Sequence, residues 1–364
     1  MKPITELVQS QLCDLAPYKP GKSAEAVARE HGIAPEDIVK LASNENPAGM
    51  SPKVQQAAQV ALSNGHRYPD GHVLRQAIAA HTGLQTDQVV LGNGSNDVLD
   101  LIARVFLGPD TTAVSSQYGF IVYRLVTKIV GAKHTMVPAK AFGHDLAAMR
   151  AAINEETKVV WIANPNNPTG TFIPHAELRT FLQNVPKDVI VVLDEAYHEY
   201  VASAGREDTT TWLTFHPNLI LTRTFSKAYG LAGLRVGYAL ASPVIADMLN
   251  RVRQPFNVSV VGLAAAVAAL EDQQFVQESA MRNQVSLKEL KAGLDALRVA
   301  YLPTFGNFIT VELENAADVC QKLLVQGVVV RPLMEYDMPN YVRITAGLPA
   351  DNKRVLAALQ AALI

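Results

Sequence analysis

Apolar residues along this chain fall into two patterns, and the order of those patterns predicts the elements. Short runs dominated by apolar and β-branched residues recur at 89–91, 111–116, 158–163, 188–193 and 218–222. Runs of that length and composition predict buried strands. Longer stretches with helix-start signals or helical spacing lie at 23–31, 52–63, 243–253, 259–270 and 272–297, and the last is long enough to act as a spine between two domains. From 308 onward the pattern shortens, with strands at 308–313, 328–332 and 341–345 separated and followed by helices at 316–326 and 350–363. This predicts an α/β chain in three parts: an arm over 1–35, a large domain over 36–270, and a small α+β domain over 271–364.

Composition narrows the function. A chain of 364 residues is long enough for two cores. Its 32 Lys and Arg against 34 Asp and Glu, a net charge of -2, give no basis for a nucleic-acid or anionic-membrane partner. Two cysteines, Cys13 and Cys320, lie too far apart in sequence to predict a disulfide framework or a metal cluster. The N-terminus carries acids, and no run reaches the ~18 apolar residues of a spanning helix. A soluble cytoplasmic protein is the expectation.

Chemistry concentrates in the stretch 222–238, TRTFSKAYGLAGLRVGY, which reads as one loop following a buried strand. Lys227 stands at the end of that strand, facing a cleft. An amine there condenses with aldehydes, and partial burial beside other cations lowers its pKa enough to free it. Thr224, Ser226 and Arg235 add two hydroxyls and a guanidinium, a set suited to a phosphate monoester. A second anion seat is predicted at 89–97, VVLGNGSND, where a strand turns through glycines into a helix start and Ser95 and Asn96 stand beside free backbone amides. Lysine plus a phosphate seat points to pyridoxal 5′-phosphate (PLP). Asp194 closes the run 188–194 as an acid at a strand's carboxyl end. It begins an acidic run with Glu195, His198 and Glu199, but an alternating strand sends such side chains to different faces, which argues against a metal site.

The segment around Lys227 resembles the cofactor-lysine motif of the fold-type I PLP aminotransferases, and nearly the whole chain is similar to the histidinol-phosphate aminotransferase family. That resemblance implies a large domain with a mostly parallel seven-stranded sheet, a small C-terminal α+β domain with which the N-terminal arm packs, and a homodimer with shared active sites. It implies that Asp194 keeps the pyridine nitrogen protonated, so that the ring accepts an electron pair. Asn167, in the heptapeptide 164–170, NPNNPTG, then donates to the ring hydroxyl, with Tyr197 reaching the same oxygen. Tyr118 is expected to stack on the ring, and Tyr68, in the 67–70 turn RYPD, to cross the dimer interface to the partner's cofactor phosphate. Toward the substrate, the resemblance implies Tyr18 in the arm PYKPG, Asn46 in the loop NENP, Arg343 in YVRIT as the grip on an α-carboxylate, and Arg331 in VVVRP near a substrate phosphate.

The activity implied is ping-pong transamination, with L-histidinol phosphate and 2-oxoglutarate giving imidazole-acetol phosphate and glutamate within histidine biosynthesis. Three alternatives stay open on the residues alone: an aromatic amino-acid aminotransferase, a PLP-dependent decarboxylase of a phosphorylated amino acid, and a PLP-binding protein without catalysis.

Overall fold

The apolar runs become the middle of one seven-stranded sheet. The computed structural model describes residues 4–13, 15–17, 21–201 and 207–364. The central strands are β1 (Val89–Gly92), β2 (Thr112–Ser116), β3 (Lys133–Val137), β4 (Thr157–Ala163), β5 (Ile190–Asp194), β6 (Leu219–Thr224) and β7 (Gly237–Leu240). They lie in the order β1-β7-β6-β5-β4-β2-β3. Pairing is parallel from β3 through to β6, while β7 runs antiparallel to both β6 and β1.

Alternation hidden inside the apolar runs divides them between two cores. Val160, Ile162, Val191, Leu193, Leu219 and Leu221 pack on one face with the helices His175–Asn184 and Val260–Glu271. Val159, Trp161, Val192 and Ile220 pack on the other, against Ser95–Phe106 and Pro243–Val252. A strand covered on both faces has no polar side to show, which is why its sequence reads as a continuous run. The edge strand β3 is less covered, with Lys133 and Met136 exposed and Val137 buried.

The stretch 222–238 is not the single loop its sequence predicts. Thr222 and Thr224 belong to β6, and Gly237 and Tyr238 open β7. The chain therefore leaves the sheet, carries Lys227 over its carboxyl edge, and returns as the antiparallel partner.

The second unit is a three-stranded antiparallel sheet in the order Arg331–Leu333, Met338–Thr345, Phe308–Glu312, backed by the helices Ala316–Val325 and Pro349–Ala362. The predicted strand 328–332 is split, because Val328–Val329 pairs in parallel with Val39–Lys40 and only Arg331 onward joins the antiparallel sheet. Val39 and Leu41 enter this unit's core. The N-terminal contribution thus runs past residue 35, carried by backbone pairing that hydropathy does not reveal.

The 24-residue helix Gln273–Ala296 joins the two units. Val276 packs into the large core, whereas Leu287, Leu290 and Leu294 pack into the small one. Leu290 has 0% exposure, so Leu290→Ala is expected to cost about 2–5 kcal/mol of stability. Urea unfolding measures it, and a loss below about 1 kcal/mol would contradict this packing.

Candidate active site

The carboxyl ends of the central strands and the face of the small sheet enclose a cleft of about 310 Å³. Lys227 projects into it from the loop after β6, half-buried, and its Nζ donates to the Ser43 carbonyl at 3.1 Å. The Tyr197 ring centroid lies 5.7 Å from the same nitrogen. Burial, and then the Arg343 charge, lower the lysine pKa from an ordinary 10.5 to about 7; Glu45 pulls it back, Arg235 lowers it further and Asp194 opposes. Desolvation disfavours the ammonium, and two guanidinium groups add to that effect.

Asp194 ends β5, beside β6 in the parallel sheet. The Tyr123 hydroxyl donates to its Oδ2 at 2.8 Å and the Ala196 amide to its Oδ1 at 3.3 Å. Its pKa is raised by burial, which the hydrogen bonds from Tyr123 and the Ala196 amide only partly offset. A cationic neighbour would favour the ionised form of this buried acid. Next to it in sequence, Glu195 turns away from the cleft to the buried Arg223 (2.8 Å) and to the Thr209 hydroxyl (2.7 Å).

An anion cradle forms where the helix Ser95–Phe106 starts. Gly94 is its N-cap at φ 80°, and no side chain caps the first amides. Arg235, itself at φ 53°, donates to Ser226 Oγ and to the Ala232 carbonyl, both at 3.2 Å. A Cβ on Gly94 would lie 2.2 Å from Arg235 Nη2, and one on Gly237 would lie 2.3 Å from the Ser95 nitrogen. Both glycines are required for the guanidinium and the helix terminus to converge. Open amides, a guanidinium and the hydroxyls of Ser95, Thr224 and Ser226 fit a phosphate monoester. The lysine loop is seated just as closely. Gly230, at φ 76°, would place a Cβ 2.0 Å from the Gly49 carbonyl oxygen.

Opposite the cradle, the small sheet presents two arginines. Arg331 and Arg343 are direct cross-strand partners, a like-charge placement that is unfavourable unless each charge is separately satisfied. Arg343 donates to Asn167 Oδ1 and to the Ala42 carbonyl, the latter at 2.8 Å, while its Nε is buried without a partner. Arg331 pairs with Glu335.

The sequence relationships agree with this geometry. Residues 36–359 match the aminotransferase class I and II family. The chain belongs to that family. It is 55% identical over 349 residues to histidinol-phosphate aminotransferase 1 of Dechloromonas aromatica (strain RCB), covering 96% of each chain. It is 52% identical over 362 residues to histidinol-phosphate aminotransferase of Methylobacillus flagellatus, covering 99% and 98%. The crystal structure of histidinol-phosphate aminotransferase from Sinorhizobium meliloti in complex with pyridoxal-5′-phosphate superimposes with a TM-score of 0.88 at 29% identity, over 98% of this chain and 97% of that one.

This aminotransferase cleft gathers most of the residues singled out from sequence. Ser95, Asn96, Asn167, Asp194, Tyr197, Thr224, Ser226, Lys227, Arg235, Arg331 and Arg343 all line it. Of the three asparagines in the 164–170 heptapeptide, only Asn167 does. Asn164 exchanges hydrogen bonds with Ile173, and Asn166 donates to the Tyr118 carbonyl and to Thr169, so these two brace the loop.

Three other candidates lie elsewhere. Asn46 is turned out of the cleft, with its amide donating to the Ala228 carbonyl (2.9 Å) and Ser279 Oγ (3.0 Å). Asn44 takes its place on the lining and donates to the Tyr197 hydroxyl at 2.9 Å. Tyr118 stacks on Phe142, with centroids 5.8 Å apart, and from this segment it is Phe120 that lines the cleft. Tyr68 is 82% exposed and stacks on Phe256 at 4.5 Å, on the outside of the molecule. Tyr18 lies outside the described residues. Sequence reasoning did not find Tyr123, Lys40, Glu335 or Tyr336. Tyr123 carries no signal beyond that of a buried helical aromatic.

With a pKa of about 7, the Lys227 amine is mostly neutral only above that pH. Reaction with a small aldehyde, trapped by borohydride and read on the Lys227 peptide, is therefore expected to rise between roughly pH 6 and 8 and then level off. A rise continuing toward the ordinary lysine value would contradict the burial argument. The linkage has a matching sign: between about 7 and 10.5 the unfolded chain binds more proton here than the folded one, so this group makes stability increase with pH across that window.

Proposed function

We propose that this aminotransferase moves an amino group from L-histidinol phosphate to 2-oxoglutarate, forming imidazole-acetol phosphate and L-glutamate in histidine biosynthesis. The observation that carries the reading is one cleft holding a lysine of depressed pKa, a buried acid, a phosphate cradle and two arginines in register. The curated relatives named above carry this activity in their names.

The cofactor is pyridoxal 5′-phosphate, which when bound supplies an aldehyde and an electron-accepting ring. Ser95, Asn96, Thr224, Ser226 and Arg235 would hold its phosphate. Asp194 would face the ring nitrogen, where a carboxylate favours the protonated form. Asn167 engages Arg343 through its Oδ1, which leaves its amide to donate to the ring hydroxyl beside Tyr197. Lys227 Nζ is the base for the donor's α-proton: a neutral amine near pH 7 has the right proton affinity to take it and give it back. Arg343 and Arg331 orient the substrate's anionic group through paired N–H donors.

A second copy of the chain completes the site. Tyr68 and Phe256, 82% and 53% exposed, form an aromatic face supporting a homodimer in which Tyr68 reaches the partner's cofactor phosphate. Sedimentation of the holoenzyme as a monomer would remove Tyr68 from the site. Cys13 and Cys320 are unpaired, which supports a reducing cytosol as the location.

Glutamate formation is the test. The PLP-loaded protein is expected to turn over L-histidinol phosphate with a kcat/KM above that for phenylalanine or tyrosine, and the reverse order would overturn the donor assignment. Lys227→Ala is expected to keep PLP non-covalently, lose the borohydride-reducible linkage, and lose turnover by at least about a hundredfold. Appreciable residual turnover would show that another group is the base. Asp194→Asn is expected to keep the linkage and slow α-proton removal by ~10-fold or more, followed with an α-deuterated donor. An unchanged rate of that step would refute the electronic role of the acid.

A further inference from the structure

Glu335 is the second acid on the cleft lining besides Asp194, and it faces basic groups: Lys40, Lys227, Arg235, Arg331 and Arg343 line the same space. It stands in the short helical turn Met334–Tyr336, directly after the strand Arg331–Leu333. That spacing lets its carboxylate fold back onto the Arg331 guanidinium. Arg331 lies directly across from Arg343, so the carboxylate supplies the negative charge that two facing guanidinium groups need. The Arg331 side chain is 11% exposed and that of Glu335 is 28% exposed. The acid is therefore the more solvent-accessible member of the pair. Lys40, the other cation on this side, is already held by Glu45 at 3.0 Å.

The proposed reaction presents this arginine pair with two different anions in each cycle. A carboxylate carries one charge, and Arg343 alone can pair with it in bidentate fashion. A phosphomonoester dianion carries close to two charges and three acceptor oxygens, enough for both guanidinium groups.

We propose that Glu335 is a specificity-determining residue, a built-in counter-ion that neutralises Arg331 when a carboxylate substrate is bound and is displaced toward solvent when a phosphorylated substrate takes both arginines. This deepens the reading above and rests on it for the role of Arg331. Glu335 thereby lets one pair of arginines serve both half-reactions without leaving an unpaired buried charge in either. It also weakens phosphomonoester binding, since the dianion must break an existing ion pair.

The test uses Glu335→Gln in the PLP-loaded enzyme, with calorimetric binding of phenyl phosphate, phenyl sulfate and phenol as a dianion, monoanion and uncharged series. Phenyl phosphate is expected to tighten by at least about fivefold, phenyl sulfate by less and phenol not at all; Glu335→Asp is expected to restore most of the parent values. An equal change for all three probes, or weaker phenyl phosphate binding, would overturn the proposal by showing that Glu335 merely holds the local structure or props Arg331 in place. In turnover the matching result is a lower KM for L-histidinol phosphate. Should the parent enzyme fail to turn over that donor, the donor assignment falls, while the binding series still decides the role of Glu335.

Discussion

Positive charge gathered at the junction of two sheets is the condition around which this molecule is arranged. A buried cation is tolerated only when a partner or a shifted proton equilibrium compensates it, and the cleft uses both remedies. Arg343 is held by Asn167 and a backbone carbonyl, and Arg331 by Glu335. Lys227 yields its proton instead, with a pKa near 7. Burial is the larger cause of that shift, and the guanidinium groups that make the cleft attract phosphates and carboxylates add to it.

The scaffold keeps these charges in place through contacts that cross between the two units. The Asn44 amide nitrogen donates to Thr345 Oγ1 at 2.9 Å, Asn307 donates to the Asn44 carbonyl at 3.0 Å, and the Thr310 hydroxyl donates to the Pro168 carbonyl at 2.5 Å. Asn44 is therefore bound to the small sheet through its backbone and to Tyr197 through its side chain. Asn167 ties the heptapeptide of the large unit to Arg343 of the small one. A long helix with one end in each core supports that junction from behind.

Much of this was legible in the residues, for a physical reason. Strands covered on both faces must be apolar throughout, so β4, β5 and β6 stand out, and the polar groups at their ends stand out against them. The edge strand β3, with Lys133, His134 and Thr135 among its five residues, offers no such contrast. Nor does β7, whose four residues follow the lysine motif without a break. Side-chain direction within loops was the weaker part. Asn44 and Asn46 are two residues apart in one polar loop, and only the partners Tyr197 and Ser279, far away in sequence, decide which faces the cleft. Tyr118 and Phe120 pose the same problem, settled by Phe142 stacking on the first. The facing of Arg331 and Arg343 depends on strand register, and Glu335 acquires its meaning only once that register is known.

Gly230 shows where the architecture leaves no freedom. Its neighbour across the gap is a main-chain oxygen, so no rotamer change in the surroundings can make room for a larger residue. Any movement of the lysine loop at this point therefore has to carry the Gly49 backbone with it, so the placement of the reactive amine is tied to a loop almost two hundred positions upstream.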